Sequence, residues 1–346
     1  MESERTDVRT DKPGASDPGY YKEARLQIID IMRSAACLMI FLYHCNTILP
    51  GEYRWLTFFG EDMGNELFFL ISGFALYPSI KKTGIRDFLP WYLKRLKKIL
   101  PVLVLFYILS YLTGFYSLKD PAQLFAVFIY PTLYWFVTAI LVFYILLFFF
   151  VKIKAGYVKT AILALILMIY IFRAGTMEGY YLIGAFAMAL GAVLREKTPG
   201  PGRDRSVEIR TGAIAIASFA FYMVVKYLKF TGWTMTAGPV DPASVLPGLG
   251  AVIAGGVILI LGVLEEDLLS RFFADKEKLL GFIRYSGTLA LYIYMVQCFN
   301  AGIIGYIIGM KVKFPLSFAV NLVVVWGLAG IVNKVMSVIM KHGLLK

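Results

Sequence analysis

Residues 25–50, RLQIIDIMRSAACLMIFLYHCNTILP, form an apolar run long enough to cross a bilayer, yet Asp30, Arg33 and His44 lie inside it. A charge at the centre of a membrane helix costs a few kcal/mol on insertion scales, so hydrophobicity did not select these three residues. An ionisable side chain in the membrane is a functional residue by default. Arg33 and His44 are eleven residues apart. At roughly 100° and 1.5 Å per residue, that spacing comes within about 20° of full turns, so both side chains share one helix face about 16 Å apart along the axis. Asp30 and Arg33 are i,i+3 neighbours and can pair, which lowers the cost of burying either. The pattern predicts a polar stripe running from one leaflet toward the other.

Further apolar runs recur along the 346 residues, 59% of which are hydrophobic. A soluble domain has no use for so many stretches of about twenty residues, and the chain reads as an all-α, polytopic membrane protein. Ten transmembrane helices are expected, over 25–50, 63–80, 99–117, 133–151, 160–173, 179–194, 211–230, 244–264, 281–303 and 314–336. Between the second and third, KKTGIRDFLPWYLKRLKK reads as an amphipathic segment at a lipid interface. DPAQLFAVFIYPT, residues 120–132, is too short to cross and reads as re-entrant or interfacial. Residues 1–24 are polar and lack the apolar core of a signal peptide, and so read as a disordered cytoplasmic tail ahead of one membrane domain over 25–340.

Charge sets the orientation. With this alternation, 27 of the 35 Lys and Arg fall in or beside segments on the side of the N-terminus and 7 on the other, with Arg33 in the membrane. Cytoplasmic loops are the basic ones, so both termini are expected in the cytoplasm. The net charge of +12 is therefore an orientation signal and not a nucleic-acid footprint. Cys37, Cys45 and Cys298 all fall in apolar segments, an odd count that reads as free packing residues and not a disulfide framework.

His44 is the residue best suited to chemistry, since imidazole can act as a base near neutral pH. The chain has two histidines, and the other, His342, lies near the C-terminus. Cys45 is a rival nucleophile, but it points about 100° away on the helix. Arg33 either pairs structurally with Asp30 or offers a fixed, always-charged fork to a phosphate or carbonyl, and the two roles are compatible. Glu66, in the second span, either orients and balances His44 or sits in water at the outer interface. Ser72 and Gly73 form a small pair that lets helices approach closely. Arg95 and Lys98 share a helix face where they can hold phosphates, or bind anionic lipid headgroups as basic clusters in this position do.

These residues sit in motifs that resemble the acyltransferase-3 family of integral membrane acyltransferases. Arg33 and His44 with Asp30 match its opening signature. ELFFLISGF (66–74) is similar to its second-span motif and RLKKILP (95–101) to its Arg-x-x-Arg element. LYWFVTAILVFYILL resembles its Trp-Phe span, and YSGTLALYIYMVQ (285–297) its late Tyr-rich block. Two positions depart from the pattern: Lys98 replaces a second Arg, and Gln297 stands where many members have His. The resemblance implies transfer of an acyl group, commonly acetyl, from cytosolic acyl-CoA to a hydroxyl of a cell-surface or lipid-linked glycan. It implies His44 as general base or transient acyl carrier, Arg33 and Glu66 as further catalytic residues, and Arg33, Arg95 and Lys98 as donor-binding residues. Asp30 orients Arg33, no metal is implied, and the location is a bacterial cytoplasmic membrane. Two non-enzymatic alternatives are a transporter that uses the polar stripe as a path for a glycan or lipid-linked intermediate, and a membrane sensor or scaffold. Short loops disfavour the latter.

Overall fold

The computed structural model describes residues 26–113, 134–198, 205–232, 240–302 and 313–341. The tail, His342 and the segment 120–132 fall outside them. Among the described residues there are twelve α-helices and no β-strand. In chain order these are α1 (Gln27–His44), α2 (Asn65–Lys82), α3 (Phe88–Leu112), α4 (Trp135–Lys152), α5 (Gly156–Arg173), α6 (Met177–Lys197), α7 (Arg205–Phe230), α8 (Pro242–Leu264), α9 (Glu266–Phe272), α10 (Glu277–Thr288), α11 (Ala290–Gly302) and α12 (Leu316–Lys341).

Six of them, α4 to α8 and α12, are long and apolar enough to cross a membrane, and α10 with α11 makes a seventh if the bent pair counts as one span. Ten were expected. The other three expected spans are present as helices but carry their own charges: Asp30 and Arg33 in α1, Glu66, Lys81 and Lys82 in α2, Arg95, Lys97 and Lys98 in α3. The side chains that suggest chemistry are the ones that dilute the apolar signal. The basic segment over 81–98 and the third span, read separately from sequence, join as the continuous helix α3 after a short 3-10 turn at Ile85–Asp87.

Close packing of α2 on α6 forms the scaffold. A Cβ on Gly73 would collide with the Met188 carbonyl, and one on Gly191 with the Leu70 carbonyl, so each helix presents bare backbone to the other. Small residues at a crossing are how membrane helices gain dispersion contacts when lipid already solvates their apolar surface. Gly73→Val should therefore prevent assembly. Overpacking alone costs about 1–3 kcal/mol, and here the obstacle is backbone that cannot rotate away. A monodisperse variant with an unchanged thermal midpoint in detergent would contradict this packing. Beyond the crossing, Lys152 at the end of α4 donates its ammonium hydrogens to the carbonyls of Ile80 and Lys81 at 2.7 and 3.3 Å and to that of Thr83. These bonds close the C-terminus of α2, where a cation also complements the helix dipole.

The N-terminus of α1 lacks a local side-chain cap. Glu266, at the start of α9, supplies one from 239 residues away: its carboxylate accepts the Gln27 N–H at 2.6 Å and the Ile28 N–H at 3.5 Å. Gln27 Nε2 adds a bond to Ser270 Oγ at 3.0 Å, and Ser34 Oγ donates to the Ile283 carbonyl in α10 at 2.7 Å. The Arg33 end of α1 is thus fixed in height and rotation. Burial raises the Glu266 carboxyl above the usual carboxylate range, against the pull of the two N–H groups. A raised folded-state value means the native protein binds the proton more tightly than the unfolded chain, so this group loses stability as pH rises above the ordinary carboxylate value. Glu266→Gln should flatten that part of the stability–pH curve. Glu266→Ala should cost about 0.5–2 kcal/mol, the usual value of a lost cap, and a thermal melt series across pH checks both.

Candidate active site

Arg33, Arg95 and Lys98 meet around one cavity of about 450 Å³. Its walls come from α1, from Phe68 and Ser72 of α2, from α3, from the start of α4 and from the junction of α10 with α11. No carboxylate is among its lining residues, so three cations face the same space. The volume is in the range of sites that enclose most of a drug-sized ligand.

Each cation is held differently. Arg95 lies over the Trp91 ring, 3.8 Å from its centroid, one helical turn away. Its Nη1 donates to the Trp91 carbonyl at 2.8 Å and its Nη2 to Ser79 Oγ at 3.0 Å, and Ser79 also accepts from Trp91 Nε1 at 3.2 Å. Stacking and two fixed bonds leave a guanidinium with little rotational freedom to lose on binding. Arg33 keeps one edge 4.0 Å from the buried Asp30 carboxylate while lining the cavity, so the structural and ligand-facing roles read from the sequence coexist. Lys98 is exposed at the cavity rim.

The junction of α10 and α11 completes the cavity. The two helices meet at 66° around Leu289. Leu289 N–H still bonds back to Tyr285 and Ser286, and Ile293 N–H bonds to the Leu289 carbonyl at 2.8 Å, so Ala290 and Leu291 form a new first turn. A first turn carries N–H groups without intrahelical partners, and both residues line the cavity. Gly287, just before the break, packs on the Asp30 backbone, and Trp326 of α12 holds Ser286 through Nε1 at 3.1 Å.

From this junction α11 runs alongside α1 toward His44. Tyr294 lines the cavity, its ring 5.0 Å from that of Phe136. Cys298, one turn further on, lies with its sulfur 3.9 Å from His44 Nε2. Arg33 and His44 therefore both face α11, as expected of two side chains on one stripe. His44 ends α1, half-buried. The next residue, Cys45, is turned into α12, where its sulfur accepts from Asn321 Nδ2 at 3.4 Å. All three cysteines are free and buried.

Glu66 is not part of this group. It lies about 160° from Phe68 around α2 and opens on a separate cavity of about 20 Å³ shared with Asp62, Tyr170, Lys229 and Ser244. Asp62 is paired there with Lys226 of α7. Glu66 itself is 2% exposed, and its Oε2 meets no hydrogen-bonding group among the described residues. The space suffices for about one water. Its surroundings place Glu66 beside residues of α5, α6, α7 and α8, on a different side of α2 from Phe68, Ser72 and the basic cavity.

Residues 26–340, nearly the whole chain, match the acyltransferase-3 family, described as an acyltransferase domain. The chain belongs to that family. It is a multi-pass membrane acyltransferase, which sets aside the transporter and scaffold readings. No curated protein and no solved structure matches it. In this acyltransferase, Lys98 gives the rim a charge without the fork of a second Arg. Sequence reasoning missed Tyr294, Cys298 and the Ser79–Trp91 clamp. The i,i+4 spacing of Trp91 and Arg95 carried a readable signal for the clamp. The Cys298–His44 contact, 254 residues apart, carried none.

Proposed function

We propose that the acyltransferase takes its acyl group, commonly acetyl, from cytosolic acyl-CoA and delivers it to a hydroxyl of a cell-surface or lipid-linked glycan. In this reading both termini are cytoplasmic, the chain resides in a bacterial cytoplasmic membrane, and α1 carries Arg33 toward the cytosol and His44 toward the outer face. The observation that supports it most is the convergence of Arg33, Arg95 and Lys98 on one cavity whose α11 wall leads to His44. CoA is a polyphosphate with a long, thin thioester arm. Clustered cations and the first turn of α11 suit its phosphates, and the arm would follow Tyr294 and Cys298 to the imidazole.

His44 Nε2 then removes the proton of the acceptor hydroxyl as its oxygen attacks the thioester carbonyl. The C–S bond breaks, and the departing CoA thiolate takes the proton back from the imidazolium. In the covalent variant, unprotonated Nε2 itself attacks the carbonyl, the C–S bond breaks and the thiolate takes the Nδ1 proton; the acyl-imidazole then passes its group to the hydroxyl oxygen, whose proton returns to the imidazole. Both routes use the same nitrogen. Asp30 holds Arg33 in place.

Purified protein in nanodiscs, given labelled acetyl-CoA and the glycan fraction of the producing cell, should transfer label to the glycan. Absence of transfer from any acyl-CoA, with label accepted from another activated acyl donor, would end the reading.

A further inference from the structure

Gln297 is the polar group that the mechanism above leaves without work. It is 2% exposed, and neither Oε1 nor Nε2 of its carboxamide has a hydrogen-bond partner among the described residues. A buried amide with both ends unpaired is costly, and proteins keep one where something else completes it. Its place on α11 says where. The cavity-facing residues of that helix are Ala290, Leu291 and Tyr294. Gln297 falls about 20° from Ala290 and about 60° from Tyr294 around the axis, roughly 4.5 Å beyond Tyr294. Its neighbour Cys298 already touches His44. By helix arithmetic Gln297 therefore continues the Ala290–Tyr294 side of α11 just beyond the residues that line the cavity, at the height where α11 approaches His44 through Cys298.

We propose that Gln297 is a donor-binding residue whose carboxamide bridges the two amides of the arm that carries the thioester, holding the acyl end beside His44. This rests on the acyl-CoA reading above and adds to it the group that reads the arm itself. The chemistry selects the ligand class. A phosphate or a thioester carbonyl offers only acceptors and would leave Oε1 bare. The arm carries two secondary amides, each trans with its N–H and C=O pointing apart, so the N–H of one can reach Oε1 while the C=O of the other accepts from Nε2. Arg33, Arg95 and Lys98 would then recognise charge at one end of the donor, and Gln297 the neutral arm at the other.

The test is equilibrium binding to the full-length protein in nanodiscs, comparing CoA with its phosphoadenosine half, which lacks the arm. Gln297→Met keeps the length and bulk of the side chain and removes both hydrogen-bonding atoms. It should weaken CoA about tenfold, the worth of lost hydrogen bonds in a buried site, and leave the phosphoadenosine half bound as in wild type. Arg95→Ala, in contrast, should weaken both. Unchanged CoA affinity in Gln297→Met overturns the proposal, including the case in which only the KM for the glycan rises and the residue serves the acceptor. Equal weakening of both ligands overturns it too, because the residue then supports the fold and not the arm. If wild-type protein binds neither ligand, the acyl-CoA reading itself is what fails.

Discussion

His44→Ala is expected to lower the rate of acyl transfer by about 10²–10⁴-fold, the usual worth of a positioned base, with little change in CoA affinity. The reason is location. His44 ends α1, half-buried against Cys298 of α11, while the cations that would hold the donor line a cavity centred near Arg33 and the first turn of α11. Removing the imidazole takes away the proton acceptor and leaves the phosphate-binding end intact. Rapid quench with labelled acyl-CoA and no acceptor separates the two chemical routes: acid-labile label on wild-type protein that disappears in His44→Ala marks the acyl-imidazole, and none marks direct transfer. Transfer at the wild-type rate in His44→Ala would remove the histidine from the mechanism altogether. Cys298 would then be the nearest group with nucleophilic character.

Arg95→Ala is expected to raise the KM for acyl-CoA by about 10–150-fold, the equivalent of one lost hydrogen bond to a charged group, with a much smaller effect on kcat. Arg95 is clamped by Trp91 and Ser79 and has no acidic partner at these contacts, so its charge is delivered to the cavity already oriented. Arg95→Lys should fall between the two, since it keeps the charge and loses the fork, the stacking and the bond to Ser79. Added salt should raise the wild-type KM more than that of the Ala variant, because screening weakens a contact the variant has already lost. A fall in kcat at constant KM would place Arg95 in the chemistry and not in donor binding.

The sequence made the first helix legible because lipid insertion cannot account for Asp30, Arg33 and His44, and because a period of 3.6 residues places Arg33 and His44 on one face. The same arithmetic applied to α2 puts Glu66 about 160° from Phe68 and about 120° from Ser72, so its separation from the basic cavity is legible in the sequence. The span count was harder. Hydropathy takes charge as evidence against a span, and here the charges of α1, α2 and α3 belong to helices that build the site. The 66° break at Leu289 had no proline to announce it. It depends on what lies around it, with Gly287 against the Asp30 backbone and Trp326 against Ser286. Contacts of that kind, like the capping of α1 by Glu266, join residues that only the folded chain brings together.

One measurement bears on all of this at once: the structure of the protein with CoA bound, determined in nanodiscs. The expected result has the phosphates among Arg33, Arg95 and Lys98, the arm along Tyr294 and Gln297, and the sulfur on the His44 side of Tyr294. Phosphates bound outside that ring of cations, or a sulfur with no path to the imidazole, would contradict it.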